Sequence, residues 1–243
     1  MLKSYRNFLH DDTTLFVEVL EEFSRQRATR SIADTDESHL EMAIELLWFE
    51  EIQCVPQLHL VVDPTKAHGA GRSGFVDIFV GNSQRHLDFA SYPVLVMELK
   101  NVTLRSLWKA QQRGPDVEST SNRDYEPLLQ MLHHAREDEL LLMKHCYFDK
   151  EKRQWHTVQV RDTLQAATAQ LNDYMSVISR GQGVLARAGV SDDRVQCRDG
   201  GRDILRGYVI ICVGGTRVIS RRTSEAVTSY SYEVARPQSV PTS

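Results

Sequence analysis

The sequence predicts an α/β protein: a mixed central β-sheet flanked by helices, interrupted by a helix-plus-hairpin insertion. Three observations carry this. Short apolar runs rich in Val, Ile, Leu and Phe read as buried strands. Other segments repeat apolar residues every three or four positions, as amphipathic helices do. The connections mix short turns with long crossovers, which a purely parallel or purely antiparallel sheet does not need. At 243 residues, 41% hydrophobic and 26% charged, the chain suits one globular domain with an elaboration, or two small ones. Its net charge of -4 excludes a basic nucleic-acid coat, so phosphate binding would rest on local patches or a metal. No apolar run approaches a membrane span, and the charged N-terminus lacks a signal peptide's apolar region. Cys54, Cys146, Cys197 and Cys212 are scattered without a C-x-x-C pair, which points to a reducing compartment, cytoplasmic or nuclear.

In chain order, residues 1–36 form an N-terminal helical extension. Its helix, 12–27, has Asp12 or Thr13 as cap and Leu15, Val19, Leu20 and Phe23 as stripe. A second helix spans about 37–52, burying Leu40, Ala43, Ile44, Leu47 and Trp48. Pro56 stops it, and Gln57–Val62 reads as a strand closed by Asp63-Pro64. A loop over 65–73 leads into the strand Gly74–Val80, a turn through Gly81-Asn82-Ser83, and the strand Tyr92–Lys100. The insertion, 103–160, contains a turn-rich stretch Pro115–Arg123, a Leu-rich helix from Tyr125 to His145, and a hairpin over Cys146–Val160. Asp162 caps a helix running to Ser179, ended by Gly181-Gln-Gly183. A loop-rich stretch 184–203 precedes the strand Tyr208–Val213, a Gly214-Gly215 turn and the strand Thr216–Ser220. Residues 236–243 read as a frayed tail.

Chemistry gathers on two of these strands. Val94, Leu95, Val96 and Met97 form a run apolar enough to be buried on both faces, yet it ends in Glu98 and Lys100, which share one side. Buried charges cost several kcal/mol each unless paired or bound to metal. Asp77 sits within the apolar segment Phe75–Val80, so adjacent strands would bring Asp77, Glu98 and Lys100 together. Two acids, with the Leu99 carbonyl as a third candidate ligand, suit Mg2+ (with Mn2+ as substitute), which favours a few carboxylates plus water and substrate oxygens. Lys100 is placed to orient water or steady negative charge.

Asp77, followed 21 positions later by Glu98-Leu-Lys100 at the end of an apolar strand, resembles the PD-(D/E)xK nuclease superfamily, with its restriction-endonuclease-like αβββαβ core. Ala169-Gln-Leu-Asn-Asp-Tyr174 resembles the Q-x-x-x-Y helix of RecB-like and ATPase-associated nuclease domains. The resemblance covers roughly 37–102 and 161–220, and it departs from the family pattern at Val76, where a proline usually precedes the first acid. It implies a single nuclease-like domain over 1–243 that hydrolyses phosphodiester bonds, chiefly in DNA. Asp77 and Glu98 would hold metal and Lys100 assist a water nucleophile. Glu41 and Gln170 would complete the catalytic rim, Glu41 as a helix-borne ligand, with Arg72 and Tyr174 on the substrate.

Each residue also has a plainer reading. Glu98 and Lys100 suit an ion pair where a strand leaves the core. Ser38-His-Leu-Glu41 fits a capping box, and Glu37 is an equally placed rival to Glu41. Gln170 and Tyr174 suit the polar shoulders of a packed helix. His133 and His134 do not share a helix face, and Lys150–Arg153 reads as a solvated turn or a phosphate-touching finger. Lys66, His68, Arg217, Arg221 and Arg222 are surface charges or phosphate contacts, and Cys212 is a small core residue. From another class of function, the alternative is a catalytically silent domain of the same fold, effector-like or mobile-element-associated, binding nucleic acid or a protein. The Leu-rich helix is a candidate partner or homodimer surface.

Overall fold

The computed structural model describes residues 7–27, 37–48, 54–67, 69–81, 93–112, 122–149, 152–184 and 186–235. The helices are α1 (Thr14–Arg27), α2 (Glu37–Trp48), α3 (Leu104–Gln111), α4 (Glu126–His134), α5 (Glu137–Leu142) and α6 (Val160–Ile178). The strands are β1 (Cys54–Val61), β2 (Ser73–Val80), β3 (Val94–Val102), β4 (Lys144–Asp149), β5 (Gln154–Gln159), β6 (Gly189–Val190), β7 (Val195–Asp199), β8 (Ile204–Val213), β9 (Arg217–Val227) and β10 (Tyr230–Val234). This is a mixed α/β fold. Its six-stranded sheet has the order β6-β1-β2-β3-β8-β9 and is mostly antiparallel, and β7-β10 and β4-β5 form two separate ribbons. The expected turn at Asn82 and Ser83, most of Pro115–Arg123, His68, Lys150 and the 236–243 tail lie outside the described residues.

The chain divides into two compact units, Met1–Leu47 with Leu99–Ala169 and Val209–Arg221, and Trp48–Glu98 with Gln170–Tyr208 and Arg222–Ser243. The first contains the insertion. Its α1 starts where Asp12 accepts the Thr14 N–H at 3.1 Å, and it buries Phe16 and Leu20, with Phe8 edge-on to Phe16 at 4.9 Å. In α2 the helix is already formed at Glu37, so Ser38 lies inside its first turn. An unanticipated helix, α3, is capped by Thr103, whose hydroxyl accepts the Ser106 N–H at 3.1 Å. The single helix expected from Tyr125 to His145 is broken at Ala135 and Arg136, both extended. Arg217 explains the break. Its guanidinium donates to the carbonyls of Leu132 and Ala135, both at 2.7 Å, and pairs with Glu21 at 3.1 Å, replacing the helical N–H donors. Glu139 then accepts the Arg136 N–H at 2.7 Å and starts α5. Arg217 is therefore a structural residue, and Arg221 pairs with Glu137.

The expected hairpin forms as β4 and β5, with Phe148 against Trp155 and Tyr147 against His156, both at 5.5 Å. Lys109 lies 4.6 Å above the Trp155 ring. Helix α6 begins two residues before Asp162, whose carboxylate reaches back to the Gln159 N–H at 2.9 Å instead of capping from outside. The Gly214-Gly215 turn between β8 and β9 has φ of 63° and 69°, the mirror-image geometry that suits strand twist and glycine. A groove of about 950 Å³ runs along α3, α4 and α5, lined by Leu107, Met131, Leu142 and Met143 among others.

In the second unit β1 pairs antiparallel with β2 and with the short β6. Strand β1 starts at Cys54, ahead of Pro56, so the proline lies within it. Stretch 184–203, expected as loop, supplies β6 and β7, and β7 pairs with the unanticipated β10. Buried Tyr232 of β10 packs edge-on to Phe79 at 6.0 Å and donates its hydroxyl to the Ile178 carbonyl. Gly181, at φ 77°, ends α6 as expected. All four cysteines are free thiols, and among the described residues no helix is long and apolar enough to cross a membrane.

His145 is buried and shares a 2.8 Å hydrogen bond with the Thr163 hydroxyl, and burial pushes its pKa down to about 4 despite the nearby Asp162 carboxylate. A folded-state pKa below the unfolded value makes protonation favour unfolding. The stability this neutral ring contributes is complete above about pH 6.5 and is lost as pH falls toward 4. Between pH 7 and 5 the expected loss is about 1–2 kcal/mol, and His145→Gln should remove that part of the pH dependence in denaturant melts.

Candidate functional site

Strand β2 alternates Val76, Ile78 and Val80 on one face with Phe75, Asp77 and Phe79 on the other. The β2–β3 register pairs Ile78 with Met97, Phe79 with Val96 and Val80 with Leu95. Asp77 shares the β2 face of Phe79 and Glu98 the β3 face of Val96, each one residue beyond the last pair of that ladder. Both carboxylates lie close enough to Tyr174 to act on its phenol. Glu98 is only 1% exposed, the one acidic side chain in the buried class among the described residues, while Asp77 is half-buried. The Gln57 amide of β1 donates to Asp77 Oδ1 at 3.3 Å.

The Gln170–Tyr174 edge of α6 belongs to the same cluster. Gln170 Nε2 donates to the Tyr174 hydroxyl at 3.3 Å, and the Phe75 backbone amide reaches the same oxygen. Burial, with the Glu98 and Asp77 carboxylates adding to it, holds the Tyr174 phenol above its ordinary pKa. At neutral pH Tyr174 is thus a protonated donor beside two acids. Space for its ring comes from Gly74, where a Cβ would lie 2.8 Å from Tyr174 Cε1 and 2.9 Å from a Val62 methyl. Asp77, Glu98, Gln170 and Tyr174 therefore gather in the second unit.

In the first unit Lys100 pairs with Glu37 at 3.5 Å, the two side chains 23% and 50% exposed. Glu41 is one turn further along α2 and half-buried. Glu37, Ser38, Asn101 and Thr103 line an open recess of about 420 Å³. Within β3 itself, Lys100 and Glu98 project to the same side, and Leu99 is buried on the other. Arg72 is half-buried immediately before β2, its carbonyl accepting the Val62 N–H at 2.8 Å. In the loop before it, Lys66 pairs with Asp63 at 3.6 Å. His133 and His134 are exposed at the end of α4. At the hairpin turn Lys152 pairs with Asp149 at 3.6 Å.

Sequence reasoning missed Gly74 and Gln57. A glycine inside an apolar strand is itself a signal of close approach. Nothing in the local pattern marks Gln57. Among the described residues no group of three or more His, Cys, Asp or Glu side chains converges. Asp77 and Glu98 are two carboxylates of the kind a hard cation takes, and Glu98 is buried.

Gly74→Ala should destabilise the protein by about 1–3 kcal/mol through overpacking. Tyr174→Ala in the same chain should recover part of that loss, giving a coupling of about 1 kcal/mol in a double-mutant denaturation cycle. No family model, curated protein or solved structure matches this chain.

Proposed function

We propose that the protein is a Mg2+-dependent nuclease that hydrolyses phosphodiester bonds in DNA. The observation that carries the reading is that Asp77 and Glu98, on adjacent strands, both act on the phenol of Tyr174, which Gln170 of α6 hydrogen-bonds. The order of elements supports it. A helix, α2, precedes three strands, the first acid is on the second strand and Glu98-Leu-Lys100 lies within the third, which runs on to Val102. After the insertion come the Gln170 helix, the short β6 and β7, and β8, so the αβββαβ order that the PD-(D/E)xK resemblance implies has two short strands interposed.

Asp77 and Glu98 would hold the cation, with the Leu99 carbonyl and Glu41 as further candidate ligands. When bound, magnesium supplies a Lewis acid for the phosphoryl oxygens and lowers the pKa of a coordinated water. Lys100, on the Glu98 side of β3, steadies negative charge developing on the phosphate. Tyr174 and Gln170 offer hydrogen-bond donors to substrate oxygens, and Arg72 offers a cation for the backbone phosphates. The Glu37–Lys100 contact makes Glu37 the helix residue that orients the lysine.

Purified protein incubated with Mg2+ and labelled DNA should cut it. Asp77→Ala, Glu98→Ala and Lys100→Ala should each lower the rate on the order of 10²-fold or more while circular dichroism stays native. Full activity in all three variants, or none in the wild type, defeats the proposal, the latter leaving a silent binding domain.

A further inference from the structure

Strand β1 carries one residue in a conformation that strands avoid. Gln57 has φ 50°, in the left-handed region that crowds the Cβ of any residue but glycine. The register does not slip there. Pro56 pairs with Ile78 and Leu58 with Val76, so Gln57 stands opposite Asp77 with its backbone twisted out of the ladder. A non-glycine residue at such an angle persists only where its surroundings hold it. Here the hold is visible. Arg194 donates from one guanidinium nitrogen to the carbonyls of Pro56, at 2.9 Å, and of Gln57, at 3.2 Å.

Arg194 is itself fixed. Asp192 accepts from its Nε at 2.9 Å and from a terminal nitrogen at 2.8 Å, a two-pronged pair. Asp192 also accepts the His59 N–H of β1 at 3.2 Å, and the guanidinium holds its carboxyl well below the usual range, at about 2. The segment between β6 and β7 thus braces β1 on both sides of the twist. The side chain at the centre of this brace is the one whose amide meets Asp77 Oδ1.

We infer that Gln57 is a positioning residue of the acidic site: the Asp192–Arg194 brace holds β1 strained so that the Gln57 amide fixes the Asp77 carboxylate for its ligand. This rests on the metal-site reading of Asp77 given above. A neutral amide suits the task, since it orients a carboxylate without cancelling the charge a cation needs. The distortion would otherwise be a cost to β1 with no return.

The test uses the full chain, Mn2+ calorimetry and melting of the metal-free protein. Wild type should bind Mn2+, and Asp77→Asn should abolish the binding. Gln57→Leu should raise the Mn2+ dissociation constant roughly 5–10-fold, the weight of one hydrogen bond to a charged group, with the melting temperature unchanged. Gln57→Gly relieves the angle and should weaken Mn2+ equally while its melting temperature holds or rises. Wild-type affinity in both Gln57 variants overturns this inference alone. Collapse of both metal-free variants assigns Gln57 to the fold and also overturns it. Wild type with no Asp77-dependent binding removes the site reading, and this inference with it.

Discussion

A carboxylate buried to 1% exposure, with a second carboxylate on the neighbouring strand, is the constraint around which the second unit is arranged. Glu98 follows a run, Val94 to Met97, that is fully buried. Apolar burial fixes the strand rigidly, and rigidity sets the acid where solvent would otherwise not allow it to stay. Its neighbours are chosen to match. Gly74 withdraws a side chain so that Tyr174 can approach, and Tyr174 is kept protonated by burial and by the acids it faces.

Much of this was legible from local pattern. Period-2 alternation and apolar runs gave β2, β3 and the core of β8. The three-to-four spacing gave α1, α2 and α6. What was illegible depends on contacts distant in sequence. The break at Ala135 is made by Arg217, which lies 82 residues away, and no window around Ala135 contains it. Strands β7 and β10 are short and polar, and they exist because each satisfies the other's backbone groups. The twist at Gln57 is imposed by Arg194, 137 positions downstream. The sequence left Glu37 and Glu41 as rivals for the helix-borne acid, and the Glu37 contact with Lys100 lies 63 positions apart, beyond any local window.

The insertion follows a different economy. Its hairpin has few buried residues and leans on cross-strand ring pairs, Phe148 with Trp155 and Tyr147 with His156. A two-stranded ribbon is marginal alone, and such pairs are its main source of cohesion. Those rings remain partly exposed, as do Met131 and Leu142 beside the groove along α3, α4 and α5.

The way the two units are threaded bears on how the protein can be made. Each is stitched from three separated stretches, and β3, α6, β8 and β9 each contribute residues to both. Neither can be excised as a contiguous fragment. Translation can complete neither until residues beyond 208 have emerged. While the ribosome is still working, the nascent chain can close the β1–β2–β3 meander but must leave its apolar faces waiting. Folding is therefore late and non-local, and the half-synthesised chain is the species most in need of a chaperone.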